Sequence, residues 1–279
     1  MKRIILIATA IACLCSCTDY RCYIDVAAAE RQFVEMRDSF ERSIDREAYL
    51  MSQGHRVDDI LIYCGEGHEH CTRLLPNGFS AAYVTTEGLM DSIAVRQQRI
   101  ISKDGRTFGV LYIGEGGREM SWPVLRRIGE LAADGAIIGG AMPEIMRGEG
   151  DQNAFRTLTD SIWHNGSVMP GRTIRSLLRA AGLPADLKTR NRGITYTHRH
   201  LPDADIYRVT STFDRPVRAK LKFRVVGREP LIWDPVDGSI TPVTYRLKSR
   251  KTKVITTFDP GQTRYIIFCR LSDRRRRNV

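Results

Sequence analysis

The sequence predicts two folds in series: a doubly wound, flavodoxin-like α/β domain over residues 56–188, then an antiparallel β-sandwich over residues 189–271. Three observations predict this. Between Ile60 and Gly139, short continuous apolar runs alternate with amphipathic helical stretches, the pattern of parallel strands covered on both faces. After Thr189 the helical period disappears, and strand-like runs follow one another at regular turn signals. The chain has 279 residues, 42% hydrophobic and 27% charged, which is ordinary globular composition over enough length for two domains. That composition excludes a disordered or fibrous chain. The sole long apolar run lies at the N-terminus, which excludes a multi-span membrane protein.

That first segment reads as targeting, not fold. Lys2 and Arg3 precede an apolar stretch from Ile4 to Leu14, shorter than the roughly 20 residues a spanning helix needs. Leu14-Cys15-Ser16-Cys17 follows and resembles a bacterial lipobox, so residues 1–16 are expected to be a lipoprotein signal peptide and Cys17 the lipidation site. A plain secretory signal is the alternative. Residues 17–55 form a linker and an amphipathic helix. Phe33, Met36, Phe40, Ile44, Ala48 and Met51 recur at three- and four-residue steps, and Gly54 closes the segment.

Through the α/β domain, Ile60–Cys64, Ser80–Val84, Phe108–Ile113 and Ala136–Gly139 read as strands, and Glu87–Val95 as a short helix. Ser121 is placed as an N-cap with Pro123 in the first turn; Val124, Leu125, Ile128 and Leu131 form the buried stripe, and Gly135 ends that helix. Further helices are expected at about Phe155–Trp163 and from Thr173 to Ala181. In the sandwich, Ala219, Leu221, Phe223 and Val225 alternate with Lys220, Lys222 and Arg224, giving one buried and one wet face. The other strands are Ile194–His198, Asp205–Ser211, Leu231–Trp233, Thr241–Leu247, Thr252–Phe258 and Arg264–Cys269. The net charge of +11 includes four arginines, Arg274 to Arg277, in a basic tail over residues 272–279. We read it as a solvated terminus near anionic headgroups, with no nucleic-acid partner.

Few residues carry recognisable chemistry. Cys64 and Cys71 are close enough for a disulfide in an oxidising compartment, and with His68 and His70 they form a cluster without strict zinc spacing, so no metal is assigned. Gly114-Glu115-Gly116-Gly117 lies between strand and helix but lacks the dinucleotide and P-loop spacings, so no cofactor is assigned. Glu66 and Glu115 fall just after apolar strands, at the carboxyl edge where open α/β sheets bind ligands. They are weak candidates for a catalytic carboxylate pair. Asp203 and Asp205 share a strand face but read as a turn-and-edge feature.

Several blocks resemble a known family. Thr197-His198-Arg199 with Pro202-Asp203-Ala204-Asp205-Ile206-Tyr207, and Pro230 to Gly238 around Trp233-Asp234-Pro235, are similar to blocks of the α-L-rhamnosidase-like glycoside hydrolases of family 106. Val57 to Tyr63 with Gly65-Glu66, Met120 to Leu125, and Leu131 to Gly139 agree in order. Arg208, Ser211 and Leu231 depart from the usual Phe, Asn and Glu. The resemblance implies a catalytic (β/α)₈ barrel ahead of these blocks, which needs roughly 250 residues. The stretch before Phe40 is too short for one, so no residue here inherits the catalytic roles. The expected function is a lipid-anchored accessory portion of such a glycan-degrading enzyme, non-catalytic alone, in the bacterial cell envelope. The alternatives are an active hydrolase with a site outside the family pattern, or a carbohydrate-binding module with Trp233, Tyr207 and Tyr245 as platforms. Glycan, or a partner protein through the helix at 33–51, is the expected partner.

Overall fold

The computed structural model describes residues 39–71, 75–164, 168–248 and 250–270. Cys17, the signal segment, Phe33, Met36 and the basic tail lie outside the described residues. The chain divides into two compact units: Val57–Asp186, and a second that joins the residues up to Arg56 with those from Leu187 onward. The second therefore begins with α1 (Ser39–Ser52) and β1 (His55–Arg56). Gly54 between them has φ +58°, and a Cβ there would stand 2.2 Å from the His200 carbonyl oxygen, so this helix end needs glycine.

The α/β unit runs β2 (Ile60–Tyr63), β3 (Ala81–Val84), α2 (Thr86–Asp91), β4 (Ile93–Arg96), β5 (Arg99–Ser102), β6 (Thr107–Phe108) and β7 (Val110–Ile113). A 3-10 turn (Glu115–Arg118), β8 (Glu119–Ser121), α3 (Trp122–Ala133), β9 (Ile138–Gly140), β10 (Ile145–Arg147), α4 (Gln152–His164), β11 (Val168–Pro170) and α5 (Ile174–Ala180) follow. Five strands form a parallel sheet in the order β3-β2-β7-β9-β11. Alternate residues serve its two faces. Leu61, Tyr63, Leu111 and Ile113 pack with Val124, Leu125 and Ile128 of α3 and Phe155 and Trp163 of α4. Ile60, Ile62, Val110 and Tyr112 pack with Ile174, Leu177 and Leu178 of α5.

Three sequence expectations need correction here. The helix expected over Glu87–Val95 stops at Asp91, and Ile93–Arg96 turns back as a strand. It pairs with β5 through a two-residue turn in which Gln97 and Gln98 both have positive φ, 50° and 59°. The run Phe108–Ile113 is two strands in two sheets, broken at Gly109, where a Cβ would lie 2.0 Å from Leu183 Cδ1. The fourth strand of the run begins at Ile138, two residues later than expected.

The second unit continues with β12 (Leu187–Lys188), β13 (Ile194–His200), β14 (Ala204–Ser211), β15 (Val217–Phe223), β16 (Arg228–Trp233), β17 (Ile240–Pro242), β18 (Tyr245–Lys248), β19 (Lys251–Phe258) and β20 (Thr263–Arg270). The expected strand Thr241–Leu247 is split, because Pro242 has no N–H to carry the ladder onward. One sheet has the order β1-β13-β14-β20-β16-β17, the other β12-β15-β19-β18. Tyr207, Val209 and Phe268 of the first share a core with Leu221, Phe223 and Val254 of the second. The opposite face of the six-stranded sheet, with Ile206, Trp233, Tyr265 and Ile267, is covered by Leu50 of α1.

The docking of α1 differs from its apolar pattern. Ser43, Arg46 and Leu50 are buried, whereas Ile44 is 51% exposed and Ala48 is exposed. Polar anchors set this rotation. The Arg46 guanidinium donates to the carbonyls of Pro235 (3.1 Å) and Val236 (2.8 Å), and the Tyr265 hydroxyl donates to Glu47 (2.7 Å). Arg199 donates to the carbonyls of Ser52, Gln53 and Gly54, which the end of the helix leaves without intrahelical partners.

Candidate functional site

In an open α/β sheet the loops at the carboxyl ends of the strands meet where the strand order reverses, here between β2 and β7. The loops after these two strands touch. A Cβ on Gly65 (φ +116°) would lie 2.5 Å from the Gly116 backbone, and one on Gly116 would lie 2.2 Å from the Cys64 carbonyl oxygen. Beside this contact is a crevice of about 240 Å³, lined by Cys64, His68, His70, Cys71 and residues 114–116. A second cleft of about 280 Å³ lies next to it, with Tyr112, Arg118, Met142 and Arg172 in its wall; Glu115 borders both. Each is smaller than the roughly 300–1,000 Å³ of ordinary ligand pockets.

The fold brings the two sequence-predicted carboxylates to one edge, on the loops of neighbouring strands, and gives each a local task. Glu66 accepts a 2.6 Å hydrogen bond from the Ser121 backbone N–H, at the start of α3. Ser121 is the N-cap, and its own side chain makes no capping bond. A carboxylate from another loop thus takes the N–H of the N-cap residue itself, the donor that the back-reaching Glu or Gln of a capping box satisfies, where the helix dipole favours negative charge. The Glu66 carbonyl accepts from Arg147 at 2.9 Å. Glu115 is well exposed and pairs with Arg118 at 2.9 Å, one turn along the 3-10 segment. Arg118 also pairs with Glu144, and the hydrogen bond it donates to Glu115 and the charge of Glu144 raise its pKa. Beneath the edge, burial pushes the Tyr63 phenol up to about 12, against the hydrogen bond it shares with Thr86.

Cys64 and Cys71 form a disulfide, with Cα atoms 5.6 Å apart. Their sulfurs are bonded to each other and are not available as thiolate ligands, so the cluster with His68 and His70 is not a zinc centre of the kind cysteines build. His70 stacks edge-on against Tyr83. The Gly114–Gly117 segment forms the 3-10 turn against Cys64. Of the aromatic platforms, Trp233 and Tyr207 are 1% and 0% exposed and belong to the cores. Tyr245 is half-buried and donates to Glu229.

Asp205 is the residue whose environment the sequence reading undervalued. Its buried carboxylate accepts from His198 (3.0 Å) and His200 (2.7 Å) and is paired with Arg228. Burial raises its pKa, but the hydrogen bonds from the two histidines and the positive charge of His198 and Arg228 outweigh it, holding the carboxyl well below the usual range. His198 in turn stacks on Tyr207, ring centroids 3.9 Å apart. The signal was the alternation His198-x-His200 facing Asp205 across the β13–β14 hairpin, with His200 directly opposite Asp205. His198 and Asp205 of this cluster, Arg199 at the end of α1, and Trp233 to Val236 under Arg46 lie in the recognised blocks. They hold the unit together.

The family profile described as alpha-L-rhamnosidase matches residues 27–247. A protein of Formosa agariphila provisionally named a beta-glucuronidase is 27% identical over 216 residues, covering 72% of this chain and 18% of that protein. The solved rhamnosidase from Novosphingobium sp. PP1Y superposes with a TM-score of 0.76 at 21% identity, over 84% of this chain and 24% of that one. The chain therefore spans about a fifth to a quarter of the length of these relatives. With the profile covering well over half of its residues, the chain belongs to the α-L-rhamnosidase family of glycoside hydrolases, family 106.

Proposed function

We propose that the chain is an accessory portion of a glycan-degrading enzyme of the α-L-rhamnosidase type, contributing structure and not a catalytic carboxylate pair. A flavodoxin-like α/β unit and a β-sandwich are its parts; the strand order β3-β2-β7-β9-β11 and the shared core of the two β-sheets support that description. The observation that carries the reading is the hydrogen bond by which the Glu66 carboxylate holds the Ser121 backbone N–H at the start of α3. Glycoside hydrolysis needs one carboxyl group to protonate the leaving group and a second across the sugar. Glu66 instead holds a backbone N–H inside the fold, and Glu115 is a surface ion-pair partner. The purified chain is expected not to turn over aryl α-L-rhamnosides. Turnover lost in Glu66→Gln or Glu115→Gln would overturn the reading in favour of an active site at this edge.

The chain is further proposed to be lipid-anchored at Cys17 in the cell envelope. The Cys64–Cys71 disulfide supports an oxidising, exported setting. Intact mass of the membrane-extracted protein tests the anchor, which predicts acylated mass beginning at Cys17. A partner protein at α1 is a second expected contact, favoured by the exposure of Ile44 on its outer face.

A further inference from the structure

The four-stranded sheet has one face in the core and one outside, and the outer face is a row of like charges. The register places Lys188 of β12 opposite Lys222 of β15, Lys222 opposite Lys253 of β19, and Lys253 opposite Arg246 of β18. One rung of the sheet thus presents a cation on every strand. Lys220 and Lys248 extend it on neighbouring rungs. Neighbouring strands lie about 4.8 Å apart, so the charges stand closer than the Debye length of about 8 Å in physiological salt. Like charges directly opposite each other destabilise a sheet. Among the described residues no carboxylate forms an ion pair with Lys188, Lys222, Lys253 or Arg246. Partial desolvation and the charges of Lys220, Arg246, Lys222 and Lys248 lower the pKa of Lys253. Lysines on edge strands have an ordinary use in blocking edge-to-edge pairing. That use does not account for Lys222 and Lys253, which lie on the two central strands.

We propose that this face binds a linear acidic polysaccharide laid across the strands along the row Lys188–Lys222–Lys253–Arg246. A polyanion supplies several negative charges in a line, matches the row and relieves its repulsion. A single-stranded nucleic acid would call for aromatic platforms among the cations. The inward Tyr245 does not provide one on this face, since it packs against the core. Choosing a glycan over other polyanions rests on the proposed role in glycan breakdown. The binding itself needs no catalytic residue, so it is read out independently of turnover.

The test is affinity of the full chain for polygalacturonate and for dextran sulfate, which separate carboxylate from sulfate recognition. Neutral dextran, phosphatidylglycerol vesicles and duplex DNA serve as comparisons. The variant K188Q/K222Q/K253Q/R246Q removes the row, and R126Q/R156Q/R175Q/R179Q removes four exposed cations of the α/β unit. Row neutralisation is expected to weaken binding to one or both acidic polymers at least about tenfold, as four exposed ion pairs of ordinary strength would, while the control variant binds within about twofold of wild type. The melting temperature of the row variant is expected to equal or exceed that of wild type, which shows that it folds. Equal losses in both variants, no binding to either acidic polymer, or tighter binding to vesicles or DNA than to both would overturn the proposal. Loss of binding in the row variant with no rhamnosidase turnover leaves both readings standing; acidic-glycan binding alongside genuine turnover overturns only the proposed accessory role.

Discussion

Glu66 and Asp205 are both carboxylates engaged by donors inside the fold, and they differ in what their removal leaves behind. Glu66 at the start of α3 makes one charge-assisted bond to a backbone N–H, part-buried, at the positive end of a helix. Glu66→Ala is expected to cost about 1–2 kcal/mol by urea unfolding, the range of a lost hydrogen bond to a charged, part-buried group. Glu115→Gln, which loses an exposed pair, is expected to cost under about 1 kcal/mol. Asp205 is the larger case. Removing its charge strands Arg228 and two histidines, so Asp205→Asn should cost roughly 3 kcal/mol or more. Its pKa is depressed in the folded state, so its contribution is fully present above the unfolded Asp value of about 3.9 and drains away as pH falls below that. Unfolding measured from about pH 6 down to about pH 3 should show an acid loss in wild type that is shallower in Asp205→Asn. Equal slopes would contradict the assignment. Asp205 was legible in the sequence only as a turn-and-edge residue, because the two histidines and Arg228 meet it across three strands. Glu66 was legible by position, after an apolar strand, but its task was not: the N–H it holds belongs to Ser121, 55 residues away.

At the scale of elements, the apolar period of the helix before Gly54 was readable, and so was its end. Its orientation was not. Periodicity counts apolar side chains, and α1 is turned by Arg46, Glu47 and Arg199, whose partners are backbone carbonyls and a tyrosine hydroxyl distant in sequence. Among the described residues Leu50 is the fully buried apolar side chain of α1, with Met51 packed against the same core, so Leu50→Ala is expected to cost about 2–4 kcal/mol. Ile44→Glu, on the outer face, should leave stability within about 0.5 kcal/mol and reduce any self-association seen in sedimentation. A large destabilisation by Ile44→Glu would mean that this face is covered within the chain. The Gln97-Gln98 turn shows a different limit. Two positive φ values normally advertise themselves through Gly or Asn, and glutamines at both positions hid the β4–β5 hairpin, whose first strand begins inside what read as a helix. The short, fully buried parallel strands β2 and β7 and the alternating β15, by contrast, were plain, because burial on one or both faces writes itself into adjacent residues.

For the molecule as a whole, family membership is shown, and the accessory, non-catalytic role is the reading proposed for it. The family blocks of the second unit map onto the hairpin β13–β14, the Trp233 to Val236 segment and the contact of Arg199 with the end of α1, where they build a fold and its helix anchor; the others lie in the α/β unit on β2 with Glu66, the start of α3 and the stretch into β9. The edge of the α/β unit offers two small clefts and two carboxylates with structural tasks. The role proposed for Glu66 is structural. The most direct measurement is kcat/KM for an aryl α-L-rhamnoside and the free energy of unfolding, taken on the same preparations of wild type and Glu66→Gln. The account predicts no turnover above buffer in either protein and a fall in stability of about 1 kcal/mol in the variant. Turnover in wild type that vanishes in Glu66→Gln while stability stays unchanged would contradict it.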